Sequence, residues 1–261
     1  VKIVIKKIIA GAFTLLVSAL LINACKDNST VQPVQDKTDY FPNRDGTTYT
    51  YSVEKTDSAG TQATGTRTTE YSGAEVKDNT TYQVQIDSLN TSGTGEISLT
   101  YFRKTDDGVF YYIDTSGFAS YFPDSLRNYI SIDTEMRELF FPLTAGSTWP
   151  VFKLILFNIA IINFSAAYDG MESITLHLAS GDVSIDAVRV KYTLLLNIPD
   201  PNDPFNTISS SYTASAWFAD EIGAIKWQGN SAILNAFAGG NIDLTDTTSV
   251  ITQSLVSYNV K

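Results

Sequence analysis

The chain has 261 residues, 43% apolar and 12% aromatic, with 18 basic and 28 acidic side chains, one histidine and one cysteine. Its net charge of −10 argues against nucleic acid and against electrostatic docking on anionic lipid. One Cys allows no internal disulfide, and with a single His it leaves the usual ligand clusters for zinc, copper or iron unfilled.

Residues 1–25 carry an address. Lys2, Lys6 and Lys7 precede the uncharged apolar run Ile8 to Ile22, which Asn23-Ala24-Cys25 closes. A short apolar run behind lysines is a secretory signal, too short to span a bilayer as a helix. A Cys directly after a small residue resembles the lipobox of bacterial lipoproteins, although Asn23 is untypical there. The resemblance implies cleavage before Cys25 and acylation of its thiol, palmitate included. Two or three acyl chains hold a protein on a membrane, where one is marginal. Loss of the three lysines with the signal leaves 15 basic against 28 acidic residues, a net charge of −13. The expected location is therefore the bacterial cell envelope: lipid-anchored at the outer membrane, on its periplasmic or outer face.

Lys26 to Asp39 (KDNSTVQPVQDKTD) has no aromatic residue and reads as a tether. Such a flexible coil spans about 20 Å, enough to clear lipid headgroups. From residue 40 to 261 the pattern is strand after strand, within one domain of a length that buries a sizeable core. Tyr49, Tyr51 and Val53 alternate with polar residues, as do Tyr82, Val84, Ile86 and then Ile97, Leu99, Tyr101. Ser58-Ala59-Gly60 ends the first strand. Asp106-Asp107-Gly108 predicts a hairpin in which glycine takes a positive φ. The alternation breaks over 118–138, where a short helix near 118–130 or an irregular crossover is expected. Strands resume at Trp149, punctuated by turns at Tyr168-Asp169-Gly170 and Ser180-Gly181-Asp182 and by the loop Pro199 to Pro204. The fold class is all-β: one large curved antiparallel sheet, a half-barrel or open barrel.

Phe41-Pro42 with Gly46, Thr48 and Tyr49 recurs 100 residues later as Phe141-Pro142 with Gly146, Thr148 and Trp149. Proline stops the preceding element, glycine makes the turn and the aromatic opens a strand on its buried face. The later turns are not repeated, so the echo reads as two lead-ins to one sheet.

In order, these landmarks resemble a family of secreted bacterial lipoproteins of undefined function. Its pattern is an FPL-x-x-G-x-x-W opening, a Y-x-R-x-x-x-D-G-V hairpin, a second opening, then G-x-E-x-I-x-V-P-A-G-x-F and W-x-A-x-G-V-G-x-V-K. The matching residues are Phe41-Pro42 with Gly46, Tyr101 to Val109, and Phe141-Pro142-Leu143 with Gly146 and Trp149. They continue through Gly170-Met171-Glu172-Ser173-Ile174, Ala179 to Val190, and Trp217 to Lys226. Departures are Asn43, Tyr49, Ser180 and Glu221. The resemblance implies a curved antiparallel sheet similar to the half-barrels of periplasmic lipoprotein carriers, and no catalytic residues.

The chemistry agrees with that. The one histidine, His177, is on a strand without a nucleophile motif. Asp200, Asn202 and Asp203, or Asn241, Asp243 and Asp246, lack the EF-hand spacing and read as Asx turns. No glycine-rich phosphate loop opens a helix. No enzyme, metal or cofactor is expected. Two features point instead to binding. Val151 to Ala167 and Leu194-Leu195-Leu196 are apolar on both alternating faces, which asks for cover from packed layers or from an apolar ligand. Leu154, Leu156, Ile159, Ile161 and Leu195 are the candidate lining of such a site. The aromatic content, 3 Trp, 14 Tyr and 14 Phe, is core unless a row of it is exposed for glycan or protein. The expectation is a binding or carrier module for a hydrophobic small molecule. The alternative is an envelope interaction protein that binds glycan or protein through an aromatic-rich sheet face.

Overall fold

A computed structural model describes residues 38–116, 127–200, 203–239, 242 and 246–261, with the side chains of 198–206 outside the description. The alternation predicted from Tyr49 onward becomes thirteen strands of a single antiparallel sheet among these residues. In chain order they are β1 (Thr48–Thr56), β2 (Gln62–Lys77), β3 (Thr80–Thr91), β4 (Thr94–Thr105), β5 (Gly108–Tyr112), β6 (Ile130–Ile132) and β7 (Glu135–Phe140). There follow β8 (Thr148–Leu156), β9 (Ile159–Leu178), β10 (Gly181–Asp200), β11 (Asp203–Ala219), β12 (Gly223–Asn230), helix α1 (Ser231–Ala238) and β13 (Val250–Asn259). The spatial order is β6-β8-β9-β10-β11-β12-β13-β1-β2-β3-β4-β5-β7. Thr38 to Lys261 is one compact unit.

The sheet curls on itself without closing into a barrel. β6 pairs only with β8 and β7 only with β5, while the two edge strands are joined in the chain by Asp133-Thr134. Contacts across the seam come from side chains: Trp149 Nε1 donates to the Arg137 carbonyl at 3.2 Å and stacks on Phe140. Pro150 in β8 has no N–H to give to a ladder, so edge strands and irregularities are where it is tolerated. Curling brings β10 over β7, where the Tyr192 hydroxyl donates to the Glu138 carbonyl at 3.0 Å.

The echo at 100 residues marks a structural repeat. β1 to β5 and β8 to β12 are both five-strand meanders. Gly46 (φ 78°) and Gly146 (φ 84°) adopt the same left-handed turn before them. Thr47 N reaches the Arg44 carbonyl and Ser147 N the Thr144 carbonyl, while Tyr71 N and Tyr168 N bond back to Thr47 and Ser147. A closing segment then joins each meander to the other. β13 lies between β12 and β1, and residues 130–140 pair β8 at one end and β5 at the other. Ile130 faces Leu156 as Val250 faces Thr56. The later turns do not repeat in sequence because the second, third and fourth strands grow from 16, 12 and 12 residues to 20, 20 and 17.

Several local expectations change. Gly108 does open β5 after a two-residue turn, but it is absent from the positive-φ positions; its requirement is space, because a Cβ there would lie 2.3 Å from the Leu139 carbonyl oxygen. Tyr168-Asp169-Gly170 is a bulge inside β9 opposite Arg189, with Gly170 at φ 111°. The two-faced stretch Val151 to Ala167 is two strands joined at Phe157-Asn158, both at positive φ, with a further register shift between Leu154 and Ile155. Turn and shift reset the alternation, which is why it reads as apolar on both faces. Most of the helix expected near 118–130 lies outside the described residues.

The helix that is described, α1, lies in a stretch with no helical period in its sequence. Asn230 caps it, its Oδ1 accepting from Ala232 N at 2.9 Å, and Gly239 at φ 70° ends it. Eight residues are too few to show a 3.6-residue period, and five of them are buried. α1 packs against the sheet's inner face. Phe237 is its hub, with ring centroids 5.6 Å from Tyr111, 5.9 Å from Phe164, 5.6 Å from Tyr192 and 5.8 Å from Trp227. The aromatic chain continues from Tyr111 through Phe102 and Tyr71 to Phe41.

Candidate functional site

One part of the inner face is polar. β2 carries Arg67 and Thr69 inward, β3 carries Gln85 and Asp87, and β13 carries Gln253, all buried. Register makes the cluster: Arg67 faces Tyr51 and Leu89 on its neighbours, and Val53 faces Gln253. Arg67 Nε donates to Asp87 Oδ1 at 2.8 Å, its Nη2 lies 2.6 Å from the same oxygen, and its Nη1 donates to Gln253 Oε1 at 3.1 Å. Thr69 Oγ1 and Gln85 Nε2 complete the carboxylate at 2.5 and 2.6 Å, and the Tyr111 hydroxyl donates to Gln85 Oε1 at 2.8 Å. Burying an ion pair is costly unless its remaining hydrogen-bonding capacity is met, and here Asp87 has four donors. Burial opposes the charge on Arg67, but Asp87 beside it holds its pKa above the ordinary value.

Glu138 on β7 is the odd member. It is 3% exposed and its Oε2 has no hydrogen-bond partner among the described residues. Burial pushes its carboxyl up to about 8, only partly countered by Tyr111 and Arg67, while Asp87 raises it further. With burial holding Glu138 toward its protonated form at neutral pH, the core among the described residues sets one cation, Arg67, against one anion, Asp87.

The cluster floors a pocket of about 280 Å³, walled by Leu89, Thr91, Glu96 and Ser98, by Ser231, Asn235 and Ala238 of α1, and by Lys55, Asp246 and Ile251. Ser98 Oγ ties the wall to α1 by donating to the Ala238 carbonyl at 2.6 Å. Asp246 is an Asx turn, as its sequence suggests: its carboxylate accepts from Thr248 N, Ser249 N and both hydroxyls, and these bonds, Ser249's above all, lower its pKa to about 2. Arg67 has committed three of its five N–H groups. Lys55 and Glu96 have no ion-pair partner among the described residues. The pocket therefore offers a spare cation, a spare carboxylate, guanidinium donors and hydroxyls around three apolar side chains.

The residues expected to line an apolar cavity do not converge. Leu154 is core at 2% exposed, whereas Ile159 is 63% and Leu195 38% exposed. Leu156 and Ile161 are half-buried beside the β8–β9 turn. Leu194 and Leu196 point inward and Leu195 outward, so that run is ordinary one-sided burial with an apolar outer residue. Most of the rings are buried, including Trp149, Trp217 and Trp227. His177 is exposed and pairs with Asp182 at 2.8 Å. Cys25 and most of both Asx clusters lie outside the described residues.

No family description matches the chain, and no curated protein matches it. Two solved structures are similar to it. One is a candidate lipoprotein of Parabacteroides distasonis, 12% identical over 85% of this chain and 99% of that one, with a TM-score of 0.39. The other is a candidate exported protein of Bacteroides fragilis with a YmcC-like fold, 15% identical over the same shares, with a TM-score of 0.43. Neither description names a ligand or an activity.

Proposed function

We propose that the chain is a lipid-anchored protein of the bacterial cell envelope, held by acyl chains on Cys25. In this reading its β domain is a non-catalytic binding module that takes a small polar ligand in the pocket beside α1. The lipobox arrangement supports the anchor. The observation that carries the ligand reading is Arg67, immobilised at the pocket floor by Asp87 and Gln253 with two N–H groups uncommitted. Preorganised donors in a concave site are what a small polar ligand needs. An apolar cargo would need room along the inner face, and Phe164, Tyr192, Trp227 and Phe237 occupy it.

The test uses the full chain in lipid nanodiscs, titrated separately with trialanine, glucose and succinate under saturation-transfer NMR. At least one probe should bind, and Thr91→Trp, which puts a bulky ring into the pocket lining, should abolish it. No binding, or binding indifferent to Thr91→Trp, overturns the ligand reading. A second reading, protein interaction through the outer sheet face, is favoured by Ile97 and Leu99, which are 73% and 52% exposed on β4.

A further inference from the structure

We infer that the ligand is a short zwitterionic peptide of small residues, lying between Lys55 and Glu96. This rests on the pocket reading above and deepens it. In three of the five charged groups in the lining the charge is already compensated. Asp87 is bound by Arg67, Thr69 and Gln85, Arg67 is held by Asp87 and Gln253, and Asp246 is saturated by its own turn. What is left is one ammonium on β1 and one carboxylate on β4. A phosphate or dicarboxylate would satisfy Lys55 and be repelled by Glu96. A diamine would do the reverse. A neutral sugar would leave both charges unused. A zwitterion, with its carboxylate toward Lys55 and its ammonium toward Glu96, uses both.

Register sets the length. Glu96 faces Leu89, which faces Arg67, which faces Tyr51, so Lys55 is displaced from the level of Glu96 by four residues along β1 and three strands across the sheet. On a flat sheet that separates the two backbones by roughly 19 Å, and curling shortens it. Lysine and glutamate side chains leaning toward each other across the curled face close part of that gap, and a peptide of about three extended residues, roughly 10 Å long, is of the size to bridge the rest. Peptide carbonyl oxygens meet the uncommitted N–H groups of Arg67 on the way, and side-chain methyls meet Leu89 and Ile251. A pocket of about 280 Å³ matches a peptide of small side chains.

Calorimetry on the full chain in nanodiscs decides it, with trialanine, N-acetyl-trialanine and trialanine amide as probes. Blocking either end should weaken binding at least tenfold. Lys55→Met should bind the acid and the amide alike, and Glu96→Gln should bind the free and acetylated amines alike, each keeping discrimination at the other end. If the three probes bind the wild type within twofold of one another, the inference is overturned. If glucose or succinate binds in a Thr91→Trp-sensitive way and trialanine does not, the inference fails and the pocket reading stands. If no probe binds, both fail.

Discussion

Glu138→Gln tests the interior most sharply, because the wild-type carboxyl is buried and protonated. Its folded-state pKa of about 8 lies above the ordinary 4.5, and desolvation is the principal cause. Between those values the folded protein holds a proton that the unfolded chain has released. Stability from this group is therefore greatest below pH 4.5, falls as pH rises, and levels off above 8. Inside that window each pH unit costs about 1.4 kcal/mol, so pH 5 to pH 7 should cost roughly 3 kcal/mol. Glu138→Gln keeps the shape and removes the proton. Denaturant unfolding of both proteins at pH 5, 6 and 7, with other carboxylates cancelling in the difference, should show the variant gaining on the wild type by about 1.4 kcal/mol per pH unit. A difference that does not change with pH would refute the reasoning, as would a variant that loses ground at pH 7.

Asp87→Asn leaves the Arg67 charge buried without its partner and should cost about 3–5 kcal/mol of unfolding free energy, while a second change, Arg67→Met, should restore part of it. Phe237→Ala removes the ring on which Tyr111, Phe164, Tyr192 and Trp227 converge and should cost about 3–5 kcal/mol by the same assay. Gly108→Ala forces the β7 backbone away from β5 and should lower the thermal midpoint by more than Gly95→Ala on β4, where φ is ordinary and no atom lies within 4 Å of the added Cβ. Cys25→Ser should abolish metabolic palmitate labelling and release the protein from membranes; retention of the unlabelled variant would contradict the anchor.

How far the sequence is readable depends on how local each cause is. The strands around Tyr49, Tyr82 and Tyr101 are legible because one apolar face produces a two-residue period, and the hairpin at Asp106-Asp107 because turn chemistry is local. Helix α1 leaves only its Asn230 and Gly239 brackets as a signal. The pocket is illegible for a different reason. On β2 both faces around Arg67 are polar, Thr68 and Glu70 outward and Arg67 and Thr69 inward, so alternation gives no direction. Its remaining members come from β1, β3, β4, α1, the Asp246 turn and β13, as far apart as Lys55 and Gln253, and on the strands only register brings them together. The apolar face expected at Leu154 to Ile161 rests on a continuous alternation, which the turn at Phe157-Asn158 interrupts.

Methyl-resolved NMR on the full chain in nanodiscs tests the central claim directly, because the pocket and the exposed apolar residues of β9 and β10 carry separate reporters. Ile251 and Ala238 line the pocket, while Ile159 and Leu195 mark the apolar surface near the β8–β9 turn. During separate titrations with trialanine, glucose and succinate, at least one probe should shift Ile251 and Ala238 saturably and leave Ile159 and Leu195 in place. Saturable shifts at Ile159 or Leu195 with the pocket signals unmoved, or no saturable shift from any probe, would contradict the account.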